Sequence, residues 1–220
     1  MNKTKIEWVR NPDGTQGYTS NPIKGWCPNN CPYCYAHRIY HRRKWDKTIR
    51  FDEKELMAPG KVKKPSRIFV GSMIDMYLPD IPTVWVDRIL ATSCQSPQHT
   101  YITLTKFPEN LLYYLFPDSW WLGVTVEGND QIDRLYRLPH KVGTIEFASF
   151  EPLLSPISWQ HLPGVLHSLN WIIIGGLTPK PVHKKEWIDD IVKCADALHI
   201  PVFIKDNAHY PIKRQEFPKV

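Results

Sequence analysis

Short apolar segments alternate with helical segments about six times along the sequence. Each apolar segment is short and is bounded by polar, glycine or proline residues, which is typical of buried strands. The predicted strands lie at 67–71, 100–105, 120–126, 144–149, 171–174 and 201–204. Strands that alternate with helices favour parallel βαβ units. A complete eight-unit barrel usually needs about 250 residues, and the chain has 220. We therefore predict an α/β fold, a partial (β/α)6-like TIM barrel with outer helices, as one domain over residues 1–220.

Four local predictions complete this description. Two further strands are expected before the alternating units, around Ile6–Val9 and Tyr18–Ile23, because a proline-, aspartate- and glycine-containing turn separates them. A basic helix is predicted over Ala36–Trp45. Cys94 lies on a helix predicted for 82–96 and is expected to be a small buried hydrophobic residue.

Three of the five cysteines fall within one eight-residue segment, with the spacing C-x3-C-x2-C. These are Cys27, Cys31 and Cys34, and the prolines and asparagines between them favour a turn-rich loop. Thiolates this close can converge on one metal centre. A closed zinc site would take His37 as a fourth ligand. An iron–sulfur cluster held by only three thiolates would leave one iron open to a small molecule.

Polar residues follow the predicted strands at the places where parallel barrels carry functional groups. In chain order they are Ser72, Asp75, Lys106, Glu127, Glu151, Lys205 and Asp206. Their number favours a shared functional edge. The alternative for each of them is a structural role, in which the side chain caps or bridges a neighbouring loop.

The cysteine spacing, with Tyr33 before the third cysteine, resembles the radical S-adenosylmethionine (radical SAM) superfamily, whose signature is C-x3-C-x-aromatic-C. Further short blocks resemble its phage Gp37/Gp68-like group. They are Ile6-Glu7-Trp8, Asn21-Pro22, Cys34-Tyr35-Ala36, Leu104-Thr105-Lys106, Leu122 to Glu127, Glu151 to Leu154, and Gly175-Gly176. The resemblance implies that the three cysteines hold a [4Fe–4S] cluster and that SAM chelates the fourth iron.

The resemblance also implies residues for binding SAM. Ser72 and Asp75 would contact its amino group, although the glycine-rich segment here reads Gly71-Ser72-Met73 and lacks the usual acidic third residue. Lys106 would pair with the SAM carboxylate or with a substrate anion.

The remaining implied contacts involve the nucleoside part of SAM and the substrate. Glu127 and Thr125 would bind the ribose hydroxyls, as acidic residues do in dinucleotide sites. Gly175 and Gly176 would let the adenine lie against backbone, because a side chain there would obstruct it. The candidates for substrate contacts are Glu151 and Lys205.

The reaction implied by the resemblance is a reductive cleavage of SAM. An external one-electron donor would reduce the cluster, and a hydrogen atom would then be abstracted from the substrate. The formal net charge of +6 and the pI of about 9.0 favour anionic partners such as a nucleic acid or a nucleotide. A partner protein that completes the site is compatible with the sequence.

A second hypothesis comes from another class of protein. It is a zinc-stabilised nucleic-acid-binding protein that uses Cys27, Cys31, Cys34 and His37, with the basic helix that follows as its contact surface. An odd number of cysteines does not suit a disulfide framework, so a protein of the reducing cytoplasm is expected.

No apolar run approaches the roughly 20 residues that span a bilayer, so no membrane partner is expected.

Overall fold

The computed structural model describes residues 1–141, 143–158 and 162–219. Two compact units are present: residues 1–105 with 110–121 form the first, and residues 106–109 with the chain from Leu122 onward form the second. This division does not test the single-domain prediction, which stays a prediction.

The first unit is built on parallel strands with helices between them. Its elements are β1 (Asn2–Lys3), β2 (Tyr18–Ser20), β3 (Ile23–Lys24), α1 (Tyr35–Arg43), β4 (Arg50–Phe51), α2 (Glu53–Leu56), β5 (Arg67–Val70), α3 (Thr83–Ser93) and β6 (Thr100–Thr105). Strand β5 pairs in parallel with both β2 and β6, whereas β1 adds to β2 in the antiparallel sense. Strands β3 and β4 form a separate antiparallel pair.

The second unit is a four-stranded parallel arrangement. Its elements are β7 (Trp120–Thr125, whose last four residues belong here), β8 (Glu146–Phe150), α4 (Leu162–Leu166), β9 (Trp171–Ile174), α5 (Lys185–Ala197) and β10 (Val202–Ile204). The strands pair in chain order, β7 with β8, β8 with β9 and β9 with β10. Their carboxyl ends therefore share one edge.

These strands are mostly apolar, and the few polar residues in them, such as Glu146 and Ser149 in β8, are buried as well. Every residue of β7, β8, β9 and β10 is buried, as expected for parallel strands covered on both faces. Gly123 has a specific role, since a Cβ there would lie 2.2 Å from the ring of Phe147. Helix α5 covers the strands with its apolar face, on which Ile188 and Ile191 are buried. The α/β fold with parallel strands is confirmed.

Several local predictions were wrong. Glu7–Val9 is a 3-10 helix and not a strand, and Trp8 packs against Phe69 with ring centroids 4.8 Å apart. Two of the helical segments expected between strands are 3-10 helices, at Pro108–Tyr113 and Asn129–Arg137. Cys94 is exposed because it follows the last turn of α3.

Among the described residues, no helix combines the length and the apolar character that crossing a bilayer requires.

The carboxyl of Glu146 gives the second unit a predictable pH dependence. Burial raises its pKa above the ordinary 4.5, while the Lys141 backbone N–H and the His140 ring oppose this shift. The folded protein therefore binds more protons than the unfolded chain between the ordinary and the raised pKa, so stability falls as pH rises through that window. We expect Glu146→Gln to remove this pH-dependent part of the stability. Urea unfolding of the wild type and the variant from pH 4.5 to about 7 measures their free energies of unfolding. A difference in free energy between the two proteins that does not change with pH would contradict the assignment.

Candidate cofactor site

Two successive turns shape the cysteine loop in the first unit. The Asn30 N–H donates to the carbonyl of Cys27, and the Cys34 N–H donates to the carbonyl of Cys31. Asn30 has a positive φ of 49°, which asparagine tolerates better than most residues. Cys34 is the residue that precedes the first turn of α1. The predicted turn-rich loop is therefore present, and Tyr33 is half-buried within it.

The thiols of this loop receive hydrogen bonds from N–H groups. The Asn29 side-chain amide donates to Cys31 Sγ at 3.1 Å. Cys27 is buried, and burial raises the pKa of its thiol, while the backbone N–H groups of Asp75 and Asn29 act in the opposite direction. N–H donors directed at sulfur stabilise a thiolate, the form that binds metals and clusters. The donor chemistry of the loop thus fits an iron–sulfur cluster.

The arrangement of the same residues bears on the zinc hypothesis. Among the described residues, no three His, Cys, Asp or Glu side chains are gathered so that they could hold a metal ion. The His37 Nε2 lies 3.1 Å from the Cys27 carbonyl oxygen, and its ring stacks on Trp26. His37 is therefore engaged as part of the packing of the loop.

The segment after β5 lies in the same unit and is held by Asn21. The Asn21 side chain accepts the Met73 N–H at 3.0 Å and exchanges hydrogen bonds with the Ser72 hydroxyl at 3.1 and 3.2 Å. The Tyr35 hydroxyl donates to the Ser72 carbonyl. Gly71 has a φ of +79°, and a Cβ there would meet the Met76 side chain at 2.8 Å. Asn21 was not predicted as a site residue, although it belongs to one of the blocks that carry the resemblance.

Asp75 is oriented by its neighbours within the first unit. Both oxygens of its carboxylate accept from the Thr105 hydroxyl, at 2.9 and 3.0 Å, and one of them accepts the Tyr77 N–H. Its own backbone N–H donates to the Cys27 thiol and acts to lower the pKa of that thiol. Asp75 therefore lies beside the cysteine loop, with its carboxylate already hydrogen-bonded.

In the second unit, Glu127 is the centre of a cluster of charges. Its side chain is 8% exposed and pairs with Lys106 at 2.6 Å and with Arg134 at 2.7 Å. Arg134 also donates to the carbonyl of Thr125, at the end of β7. Lys106 was expected to pair with an anion of SAM or substrate, and the structure pairs it with Glu127. Sequence reasoning missed Arg134, because nothing in the local pattern marks it.

The two substrate candidates contact each other. Lys205, after β10, donates to the carboxylate of Glu151, after β8. A Cβ at Gly175 would lie 2.7 Å from the Glu151 Cδ, so the glycine provides the space in which this carboxylate lies. At Gly176 a Cβ would meet the Asn207 carbonyl at 2.6 Å. The roles of all these residues in binding a cluster, SAM or substrate stay predictions.

The fold of this chain resembles one that is known from a solved structure. It is similar to the solved structure of a spore photoproduct lyase complexed with dinucleoside spore photoproduct, with a TM-score of 0.53 and 10% sequence identity. The match covers 91% of this chain and 80% of the lyase chain. At this level of identity the likeness is one of fold.

The chain belongs to the family described as Protein of unknown function (DUF5131), whose model matches residues 3–218. Comparison with the sequences of curated proteins finds no match.

Proposed function

We propose that this protein is a radical SAM enzyme of the Gp37/Gp68-like group, and that Cys27, Cys31 and Cys34 hold its [4Fe–4S] cluster. The observation that carries the proposal is the three-cysteine loop, in which the Asn29 side-chain amide donates to the sulfur of Cys31. The likeness in fold to spore photoproduct lyase supports it over most of the chain.

When bound, the cluster and SAM would supply the radical chemistry, with one electron taken from an external donor. The chain's own residues would hold and orient these groups. The thiolates of the loop would bind three irons, and N–H donors such as the Asn29 amide would stabilise their negative charge. The hydrogen bonds with the Asn21 side chain would keep the backbone of Ser72 and Met73 in one conformation.

A nucleic acid or a nucleotide is the proposed class of substrate. The lyase with the similar fold was solved in complex with a dinucleoside. The formal net charge of +6 favours an anionic substrate for the present chain as well. The Glu151–Lys205 pair is proposed as a polar contact for that substrate.

The test is a metal and spectral analysis of the protein purified without oxygen. We expect a brown protein with about four irons per chain, a change in its visible spectrum when SAM is added, and SAM cleavage after reduction. A colourless protein with one zinc per chain would contradict the proposal and support the zinc hypothesis. His37→Gln separates the two hypotheses further, since it should retain iron in the first case and lose zinc in the second.

A further inference from the structure

The exposed side of α1 and the residues after it form a basic surface, here called the basic face. It consists of Arg38, His41, Arg42, Arg43, Lys44, Trp45 and Lys47, all of them exposed. Residues 38–47 contain five lysines and arginines against one carboxylate, a formal charge of four out of the chain's net six. Most of the excess charge of the protein is therefore concentrated in one short segment.

The segment itself contains little acid that could neutralise this charge. The single acid, Asp46, pairs with Arg50 at 3.3 Å, and Arg50 lies outside the segment. In the described part of the chain, Arg42, Arg43 and Lys44 form no ion pair. Cations in the last turn of a helix are favoured by its dipole, which accounts for Arg42 and Arg43. Arg38 lies one turn earlier, at i,i+4 spacing from Arg42, and like charges at this spacing repel each other.

An exposed aromatic ring lies within the basic face. Trp45 keeps 49% of its surface exposed, while an edge contact with Tyr40 at 5.4 Å fixes its position. Proteins that bind single-stranded nucleic acids combine cations along the backbone of the strand with aromatic rings on which the bases stack. The basic face presents both elements.

The opposite side of α1 is attached to the cysteine loop. Tyr40 accepts the Gly25 N–H through its hydroxyl at 2.8 Å, and the His37 ring stacks on Trp26 with centroids 3.6 Å apart. The helix also begins directly after Cys34 and has nine residues, a length of about 13 Å. At about 3.4 Å per phosphate, a stacked strand along this length would present about four phosphates. The basic face is therefore held close to the loop proposed to hold the cluster.

We propose that the basic face binds a single-stranded nucleic acid, with its phosphates on Arg38, Arg42, Arg43 and Lys44 and an unpaired base on Trp45. This proposal extends the proposed function, and a role of the binding in catalysis rests on that function. The binding itself does not depend on that function and can be measured separately.

The first test measures binding of fluorescent single-stranded DNA and RNA, each of about 12 nucleotides, to the anaerobically purified protein at several salt concentrations. Each phosphate contact to a single strand contributes about 0.7 to the slope of log affinity against log salt. We expect R42A/R43A to lower the slope by about 1.4 and to weaken binding on the order of 20-fold at about 0.1 M salt. The matched control is K61A/K63A, which removes the same charge from exposed lysines elsewhere in the first unit.

The second variant tests the stacking contact. We expect W45A to weaken binding by about five- to a hundredfold without changing the salt slope, and circular dichroism checks that each variant is folded. Equal effects of R42A/R43A and K61A/K63A would overturn the proposal. So would unchanged binding by W45A, or tighter binding of phosphatidylserine vesicles than of either strand. If the wild-type protein binds single strands but does not cleave SAM, the proposed function is wrong and the proposal for the basic face stands.

Discussion

Replacing Cys27, Cys31 or Cys34 by alanine is expected to leave a protein without its iron. Each thiolate would hold a different iron, and a cluster that loses one of three protein ligands has no substitute donor in the loop. We expect the iron content to fall from about four per chain to below one. SAM cleavage should disappear in the same preparations, measured as the release of methionine after chemical reduction.

Cys94→Ala is the matched control for these variants. Cys94 is an exposed cysteine beyond the last turn of α3 and is not part of the loop. The Cys94→Ala protein should retain iron, colour and SAM cleavage at the level of the wild type. Full iron content in Cys31→Ala or Cys34→Ala would mean that the loop does not hold the cluster.

Replacing Glu127 by alanine is expected to destabilise the folded protein by about 3 kcal/mol. The reason is that Lys106 and Arg134, which are only 15% and 24% exposed, would be left without their carboxylate. Breaking a buried ion pair by removing one partner costs about 3–5 kcal/mol, and the residual exposure of both cations favours the lower end. Urea unfolding followed by tryptophan fluorescence measures the change in the free energy of unfolding.

Glu109→Ala provides the comparison for this variant. Glu109 pairs with Arg137 at 3.7 Å, and both side chains are about half exposed, so its loss should cost less than about 1 kcal/mol. Equal destabilisation by the two variants would show that the Glu127 cluster is no stronger than a surface pair. Repeating the measurement with SAM tests the ribose role, because a ligand that binds only the folded protein stabilises it. That stabilisation should be lost in Glu127→Ala if the carboxylate binds SAM.

The positions of the buried strands could be predicted closely from the sequence. Strands β6 and β9 agree with the prediction residue for residue, and β7 differs only at its last residue. Such strands are covered on both faces, so they appear as continuous apolar runs that end at polar residues. The prediction failed at 6–9, where burial of both Trp8 and Val9 is achieved by a 3-10 turn.

The candidate site could be predicted only in part. The prolines and asparagines between the cysteines are local features, and they indicated a turn-rich loop that the structure contains. Asn21 escaped prediction because its partners Ser72 and Met73 lie 51 and 52 positions further along the chain, and local patterns contain no information about such partners. Arg134 lies only seven positions from Glu127, but their pairing depends on how the chain folds back after β7.

By itself, the sequence determined where the strands lie along the chain, the cysteine loop and the concentration of positive charge after that loop. Each of these follows from neighbouring residues. Only the tertiary structure decided that Lys106 pairs with Glu127 and that Lys205 pairs with Glu151. These residues belong to different strand ends, and the parallel pairing of β8, β9 and β10 aligns the ends of those strands. A salt bridge forms where the register of the strands places two charges within reach, and that register is a property of the folded chain.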